Sequence, residues 1–230
     1  MRPANRALQL GSPEALVGLL KDFMEGRSLR ALSSANESSF QIALEMVLTP
    51  PRTRVGELRL VMDGKKPPRY GRFGFADIFF APGGADASVL LELKYLPLPG
   101  LLSGRRRCWI SKPNDEELEK FSEEISAMTE SKLDELRFAY YSQNEGRYVF
   151  TTVGKIRQDA LKQVQGYSKV LEKGVALGEH GSGVNDVRVK VEPGTDTLRS
   201  FTLVAVGGKK ILWQSAGEVK TKFSYRCTAI

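Results

Sequence analysis

Residues 73–80 (FGFADIFF) and 88–94 (SVLLELK) are the part of the sequence that decides the fold. Both segments are rich in the aromatic and branched residues typical of β-strands, and residues 81–87 (APGGADA) between them have the composition of a turn. The sequence therefore predicts an antiparallel hairpin. Because the second segment is almost continuously apolar, we expect it to be a central strand of its sheet.

Three ionisable residues interrupt this apolar pattern: Asp77 in the first strand, and Glu92 and Lys94 in the second. Side chains alternate along a strand, so Glu92 and Lys94 share one face of the sheet. If the strands pair around residues 82–87, Asp77 lies directly opposite Glu92, with the Cβ atoms roughly 5 Å apart. Two carboxylates at that separation repel each other unless a proton or a cation lies between them. The pattern favours a Mg²⁺ site over the alternative, an ion pair on a half-exposed sheet face.

The rest of the sequence places this hairpin in a larger domain. Helices are predicted before it, at residues 36–48, and after it, at residues 155–172. Residues 97–145 have the character of an insertion, with a basic loop at 97–113 and an acidic amphipathic helix at 114–137. The other predicted elements are one helix at 13–25, within an N-terminal lead-in of residues 1–35, and strands at 57–63, 147–152, 187–191, 198–206 and 211–214. We therefore expect an α/β fold with a central mixed sheet flanked by helices.

The combination of Asp77 with Glu92-Leu93-Lys94 resembles the signature of the PD-(D/E)XK nuclease superfamily, an acid on one strand and Glu-x-Lys on the next. Ala76 precedes the aspartate where the signature has proline. The resemblance implies a restriction-endonuclease-like αβββαβ core, and the order of predicted elements matches it. On this interpretation, residues 36–230 form the nuclease-like domain and residues 97–145 are a family-variable insertion.

Residues on the two predicted helices extend the resemblance. Gln163 and Tyr167 stand four residues apart on one helical face, as in the Gln-x-x-x-Tyr motif of the RecB-like branch. Many members of the superfamily also carry a glutamate on the first core helix. Glu37 shares the buried face of that helix, whereas Glu45 points away from it. Plainer interpretations remain open, because Tyr167 also fits a core stripe and Glu37 also fits a Ser-x-x-Glu capping box.

The resemblance implies metal-assisted hydrolysis of phosphodiester bonds. Lys94 would orient or help deprotonate the attacking water and offset phosphate charge. Gln163 and Tyr167 would position the site. The implied ligands of Mg²⁺, for which Mn²⁺ would substitute, are Asp77, Glu92, Glu37 and the backbone carbonyl of Leu93. The expected phosphate contacts are Arg72, Arg105, Arg106 and Arg107.

Composition narrows the alternatives. The 230 residues include 34 Lys and Arg against 27 Asp and Glu, and the net charge of +7 favours a polyanionic partner. The resemblance implies that this partner is nucleic acid, with DNA preferred to RNA. His180 is the single histidine and lies in a glycine-rich stretch, so histidine-based zinc sites and Ser-His-Asp triads are not expected. Cys108 and Cys227 are too few for a disulfide framework or a structural zinc site. No signal peptide and no run of roughly 18 apolar residues is present, which predicts an intracellular protein, cytoplasmic or nuclear, without a membrane partner.

Three hypotheses follow from the sequence. The first is a Mg²⁺-dependent nuclease, and the second is a catalytically inactive nucleic-acid-binding domain of the same fold. The third is a structural or interaction domain of a larger assembly, and a homodimer is also compatible with the sequence. A second Glu-x-Lys, at Glu218-Val219-Lys220, has polar flanks and no acid on a preceding apolar strand, so we interpret it as a solvated strand edge.

Overall fold

The computed structural model describes residues 3–48, 53–68, 70–81, 87–109, 113–178 and 180–228. Within these residues the chain is an α/β protein with a six-stranded mixed sheet, in the order β6-β1-β2-β3-β7-β8, and a separate two-stranded sheet, β4-β5. The helices are α1 (Pro3–Gln9), α2 (Glu14–Glu25), α3 (Leu29–Ser34), α4 (Glu37–Val47), α5 (Leu98–Arg106), α6 (Asp115–Ala127), α7 (Glu130–Glu135) and α8 (Val153–Leu171). The strands are β1 (Arg54–Val61), β2 (Phe73–Phe80), β3 (Ser88–Leu96), β4 (Arg137–Ser142), β5 (Arg147–Thr152), β6 (Gly183–Val184), β7 (Val189–Val206) and β8 (Lys210–Cys227).

The predicted hairpin is the centre of the large sheet. Strands β1, β2 and β3 form an antiparallel meander, and β7 then pairs with β3 in parallel after the connection through α8. The ladder joins Ile78 to Leu91 and Phe80 to Val89, which is the predicted register. The turn residues 82–86 lie outside the described residues. The prediction of an α/β fold with a central mixed sheet is confirmed.

Alternation along β3 supplies two separate cores. Leu91 and Leu93 pack with Phe40 of α4, in a cluster that α1, α2 and α3 also join. Leu90 packs with Val164 of α8 on the opposite face. The strand is buried on both faces because helices cover both, which explains its continuous apolar sequence.

The lead-in contains more structure than the sequence predicts. One helix was expected in residues 1–35, but the structure has three, of which α2 matches the prediction. Leu8, Leu16 and Leu20 of α1 and α2 are fully buried in the cluster that contains Leu91. These helices therefore complete one core of the sheet.

The segment after β3 differs from the prediction in two ways. Most of the predicted basic loop, residues 97–113, is helix α5, with Leu101 and Leu102 buried. The predicted single helix at 114–137 is two helices, because the chain is extended at Met128 and Thr129. Strand β5 is at its predicted position and pairs with β4, which was not predicted. The two helices and the hairpin share a third apolar cluster that includes Phe121 and Phe138.

The predicted closing strands are two long strands. The 18-residue β7 begins at Val189, so residues 187 and 188 of the predicted strand 187–191 lie in the turn before it, while 189–191 and 198–206 belong to it. Its pairing with β8 is irregular between Pro193 and Asp196 and between Ser200 and Phe201. Residues 211–214 are the first part of the 18-residue β8 at the sheet edge. None of the helices described is both long enough and apolar enough to span a bilayer.

Candidate active site

Asp77 lies where the β2–β3 ladder stops. The ladder ends at the pair Ile78 and Leu91. The same register, continued, would place Asp77 opposite Glu92 and then Ala76 opposite Leu93. Instead, the Asp77 Oδ2 atom accepts the Leu93 backbone N–H at 2.6 Å. The carboxylate has replaced a backbone carbonyl as the hydrogen-bond acceptor, so the two strands separate without leaving the Leu93 donor unpaired.

The other edge of β2 is interrupted at the same residue. The β1–β2 ladder joins Gly56 to Ile78 and Leu58 to Ala76, and it passes over Glu57 opposite Asp77. Glu57 has a φ of 52°, in the left-handed region, which takes its backbone out of the ladder. The Asp77 carbonyl accepts a hydrogen bond from the Nε2 atom of Gln41, in α4, at 3.1 Å. Strand β2 is therefore open on both sides at Asp77.

Glu92 and Lys94 occupy the gap that this opening creates. Lys94 Nζ lies 2.8 Å from Glu92 Oε1 and 3.3 Å from Glu37 Oε1. The side chain of Glu92 is fully buried, and its Oε2 atom has no hydrogen-bond partner among the described residues. A buried carboxylate oxygen without a partner is costly, and this one therefore indicates a missing proton or ligand.

The protonation equilibria of the three groups are strongly shifted. Burial raises the pKa of Glu92 to about 8, despite the nearby charge of Lys94. Burial also raises the pKa of Asp77 to about 6, although the Leu93 N–H and Lys94 both lower it. The pKa of Lys94 is raised because Glu92 and Glu37 outweigh the effect of burial. At neutral pH the site therefore holds a charged lysine and, without a further cation, a proton on the acid pair.

The Gln163–Tyr167 pair of α8 reaches the site from one face of the sheet. Gln163 Nε2 donates to the Tyr167 hydroxyl at 2.8 Å. The tyrosine ring lies over Gly74, where a Cβ atom would stand 2.7 Å from it, so only glycine admits this approach. Burial raises the pKa of Tyr167, and the charges of Glu92 and Asp77 add to the rise while Gln163 opposes it. Tyr167 is also part of the apolar cluster on this face, which confirms its interpretation as a core residue, while its role in a site stays a prediction.

Glu37 reaches Lys94 from α4, which packs on the opposite face. Asn36 caps this helix, because its Oδ1 accepts the Ser39 N–H at 2.9 Å. The Ser34 hydroxyl donates to the Arg30 carbonyl instead. The alternative interpretation of Glu37 as the end of a capping box is therefore wrong. The gap between β2 and β3 is open to groups from both faces of the sheet.

Two polar residues of α4 differ from the sequence analysis, which did not consider Gln41 and expected Glu45 to point away. Gln41 holds the Asp77 carbonyl, and Glu45 accepts the Gln41 amide at 3.2 Å. Glu45 also lies over Gly56 and 4.0 Å from Arg54, so the expectation that it points away is wrong. The signal was present as a polar residue at every fourth position, 37, 41 and 45, which places all three on one helical stripe. Each contacts a different strand: β3, β2 and β1 in turn.

The predicted phosphate contacts are not brought to the acids as a group. Arg105 Nη1 lies 2.7 Å from Glu124, and Arg106 pairs with Glu117, so both side chains tie α5 to α6. Arg107 is exposed and has a φ of 56° at the end of α5. Arg72 precedes β2, with its guanidinium carbon 5.7 Å from the Phe73 ring. Their contact with nucleic acid stays a prediction.

The remaining motifs have structural surroundings. His180 Nδ1 lies 3.4 Å from the Gly64 carbonyl in the loop after α8. Glu218 and Lys220 are exposed on the edge strand β8, as expected. Among the residues that the structure describes, no group of three or more His, Cys, Asp or Glu side chains is arranged to hold a metal ion. Searches against family models, curated proteins and solved structures found no match to this chain.

Proposed function

We propose that this chain is a metal-dependent nuclease that hydrolyses phosphodiester bonds in nucleic acid, with DNA favoured over RNA. The proposal takes α4, β1, β2, β3, α8 and β7 as the αβββαβ core of a restriction-endonuclease-like domain. Asp77, Glu92 and Lys94 are its catalytic centre. Glu37, Gln163 and Tyr167 reach that centre from the two flanking helices and complete it.

One observation carries the proposal: the unpartnered Oε2 atom of Glu92 beside Asp77. Proteins place a carboxylate in a central strand at considerable cost in free energy, and a purely structural ion pair would use both oxygens. Here Lys94 satisfies only Oε1. Asp77 lies on the neighbouring strand where the ladder is interrupted, so a second carboxylate is available to a ligand of Oε2.

The residues present fit a hard divalent cation such as Mg²⁺ or Mn²⁺. Asp77 and Glu92 supply carboxylate oxygens, which such cations prefer. A residue's N–H and carbonyl point to the same edge of a strand, so the Leu93 carbonyl lies on the side of Asp77, beyond the end of the ladder. Glu37 is engaged with Lys94 and is the fourth candidate. A bound cation supplies Lewis-acid polarisation of phosphate and a water of lowered pKa.

Lys94 acts in this proposal as a fixed positive charge. Its pKa is raised, so the ammonium group is protonated at neutral pH and donates hydrogen bonds. Glu92 and Glu37 hold it from two directions, which fixes its position relative to the acids. A charged, immobilised donor stabilises negative charge that develops on a phosphate and orients a water. It is a poor base, so of the two predicted roles we favour orientation over deprotonation.

The helix residues position the substrate and the centre. Tyr167 keeps its proton because its pKa is raised, and its hydroxyl accepts the Gln163 amide. Gln163 is exposed, so its side chain is accessible to a strand that enters the gap. Glu37, with 45% of its side chain exposed, lies at the solvent side of Lys94.

The test is a cleavage assay with linear, circular and single-stranded DNA and with RNA, in Mg²⁺, in Mn²⁺ and in EDTA. We expect metal-dependent cutting that falls at least about 100-fold in Asp77→Asn and in Lys94→Ala. Lys220→Ala is the matched control, since it removes a lysine from the same Glu-x-Lys pattern on the sheet edge. Cutting that persists in EDTA or in Asp77→Asn would overturn the proposal.

A second candidate is a catalytically inactive nucleic-acid-binding domain of the same fold. The absence of a three-residue metal cluster among the described residues favours it, because Lys94 already engages two of the three acids. Binding of DNA without cleavage in any metal, unchanged by Asp77→Asn, would support this second candidate and reject the first.

A further inference from the structure

We propose that the β4–β5 hairpin binds unpaired nucleobases of a single-stranded nucleic acid by stacking. The binding surface is an aromatic platform, defined as Trp109, Tyr141, Tyr148 and Phe150. It is made of residues other than those of the acid site, and its test requires no cleavage. The inference adds a mode of substrate contact to the proposed nuclease but does not depend on that activity.

The platform is a continuous set of rings on one face of a two-stranded ribbon. Tyr141 and Tyr148 are directly opposite each other in the ladder, with ring centroids 5.3 Å apart. Trp109 stacks on Tyr148 at 4.3 Å with an interplanar angle of 18°. Phe150 is two residues beyond Tyr148 on the same strand, so it shares this face. Trp109, Tyr148 and Tyr141 are therefore in mutual ring contact through Tyr148, and Phe150 lies on the same face of the ribbon.

These rings are exposed, and other residues of the hairpin supply its contacts with the core. Phe138 and Ala139 of β4 are buried and attach the hairpin to the rest of the protein. By contrast, Trp109 is 41% exposed, Tyr141 53%, Tyr148 40% and Phe150 41%. Five of the seven exposed aromatic side chains among the described residues belong to the hairpin or are Trp109, the others being Tyr70 and Phe75. A concentrated exposed apolar surface of this kind marks a binding site.

The charges around the platform select a polyanion. Arg107 is exposed two residues before Trp109. Arg147 stands beside Tyr148 with 75% of its side chain exposed, and it pairs with Glu145 at 2.8 Å. Arg137 is exposed at the start of β4, and Glu145 is the only acid in residues 137–152. A second copy of the chain seated here would bring these arginines against their equivalents, which is unfavourable. A ligand with both negative charge and flat rings matches both features.

Stacking requires bases that are not already paired. In a duplex the faces of the bases are covered by their neighbours, whereas unpaired bases stack on aromatic side chains with little dependence on sequence. Helix α8 begins at Val153, directly after β5, and carries Gln163 about 15 Å along its axis. The platform and the acid site are thus joined by one rigid helix.

Trp109 provides a direct probe of the proposed contact. In Trp213→Phe, Trp109 is the only tryptophan, and a base stacked on the platform would quench its fluorescence. The probes are oligo(dT), an abasic oligomer of the same length and charge, and a duplex, all in EDTA. We expect quenching by oligo(dT), and binding of the abasic oligomer and the duplex at least about tenfold weaker. Tyr148→Ser should weaken oligo(dT) binding about tenfold, whereas Leu10→Ser, which alters another exposed apolar residue, should not.

Fluorescence anisotropy of labelled oligo(dT) with the unaltered chain and with Tyr148→Ser repeats the test without the Trp213 substitution. Equal affinity for oligo(dT) and the abasic oligomer would overturn the proposal, because only phosphate contacts would remain. Absence of binding would overturn it as well, and so would concentration-dependent self-association that Tyr148→Ser abolishes. If oligo(dT) quenches the fluorescence but the chain cuts DNA in no metal, base stacking is supported and nuclease activity is rejected. If the chain cuts DNA but oligo(dT) causes no quenching, nuclease activity is supported and base stacking is rejected.

Discussion

Glu92-Leu93-Lys94 on β3 and Glu218-Val219-Lys220 on β8 are the same pattern placed in two positions of one sheet. Glu92 is fully buried and 2.8 Å from Lys94, whereas Glu218 is 46% exposed and bonds Arg199 at 2.8 Å. Asp77 of the neighbouring strand lies against the first pattern. The neighbour of Glu218 in the ladder is Arg199 of β7.

The difference teaches that the surroundings of Glu-x-Lys decide its chemistry. A central strand buried on both faces makes the carboxylate costly and perturbs its pKa, which an edge strand in water does not do. Asp77 on the adjacent strand adds a second carboxylate, whose charge the Leu93 N–H and Lys94 offset only in part. Substitutions that are identical in the two patterns should therefore have opposite outcomes, and each such pair tests the comparison.

The largest expected contrast is in activity, between Lys94→Met and Lys220→Met. Methionine keeps the length of the side chain and removes the charge. We expect Lys94→Met to lower nuclease activity at least about 100-fold, since it removes the ammonium group that Glu92 and Glu37 hold, and Lys220→Met to stay within about twofold. Initial cleavage rates at saturating Mg²⁺ measure both. Equal effects of the two substitutions would show that β3 and β8 do not differ in the proposed way.

Substitution of Gln41, which donates a hydrogen bond to the Asp77 carbonyl, should lower nuclease activity about tenfold. Gln41→Leu removes the donor and leaves that carbonyl without its side-chain partner, so β2 can shift towards β1 and carry Asp77 with it. We expect activity to fall about tenfold, corresponding to about 1.4 kcal/mol. Gln41→Glu, which cannot donate when ionised and adds a negative charge beside Glu45, should fall at least as much. Full activity in both variants would show that the hydrogen bond does not position Asp77.

A pH-dependent change in stability should separate Glu92→Gln from Glu218→Gln. The pKa of Glu92 is raised from 4.5 to about 8, so between these values the native state binds a proton that the unfolded state has lost. The free energy of unfolding of the metal-free chain therefore decreases as the pH rises through this window. Glutamine cannot ionise, so the Tm of Glu92→Gln should exceed that of the unaltered chain by a few degrees at pH 8. This difference in Tm should be smallest at pH 5.

Thermal unfolding in EDTA at pH 5, 6, 7 and 8 measures this difference. The pKa of Asp77 is raised from 3.8 to about 6, so Glu92→Gln should still lose some stability as the pH rises from 5 to 6. Glu218→Gln should follow the unaltered chain at every pH. Parallel curves for Glu92→Gln and the unaltered chain would contradict the burial of an unpartnered carboxylate.

Much of the architecture was accessible from the sequence because it follows from local periodicity. The hairpin, its register and the convergence of Asp77, Glu92 and Lys94 come from two-residue alternation broken by charges. Helix α5 could not be predicted in this way, because Pro99, Gly100 and Gly104 have poor helix propensity. The structure gives a reason for the glycines: a Cβ atom at Gly100 or Gly104 would collide with the backbone of β4.

The missed contacts depend on tertiary placement. Gln41 and Glu45 face the sheet because α4 crosses strands β3, β2 and β1, and the backbone of β2 is open at Asp77. An amphipathic pattern alone assigns polar residues to the solvent-facing side of a helix, so it could not predict these contacts. The partners of Arg105 and Arg106 are 19 and 11 residues away in the sequence, on another helix. Nothing in the spacing of a run of arginines reveals such partners.

The smallest expected effect concerns Glu57, which has no counterpart in the β8 pattern and whose backbone opens the β1 side of Asp77. Its φ of 52° costs a residue with a Cβ atom about 1 kcal/mol or more, and glycine avoids that cost. Glu57→Ala removes the carboxylate but keeps the Cβ atom, so it isolates the charge, whereas Glu57→Gly removes both. Glycine makes the unfolded chain more flexible, which offsets part of the gain. We therefore expect Glu57→Gly to exceed Glu57→Ala in denaturant stability by about 0.5–1 kcal/mol. If the alanine variant were the more stable, the ladder at Glu57 would be regular, and the opening of the sheet at Asp77 would require another cause.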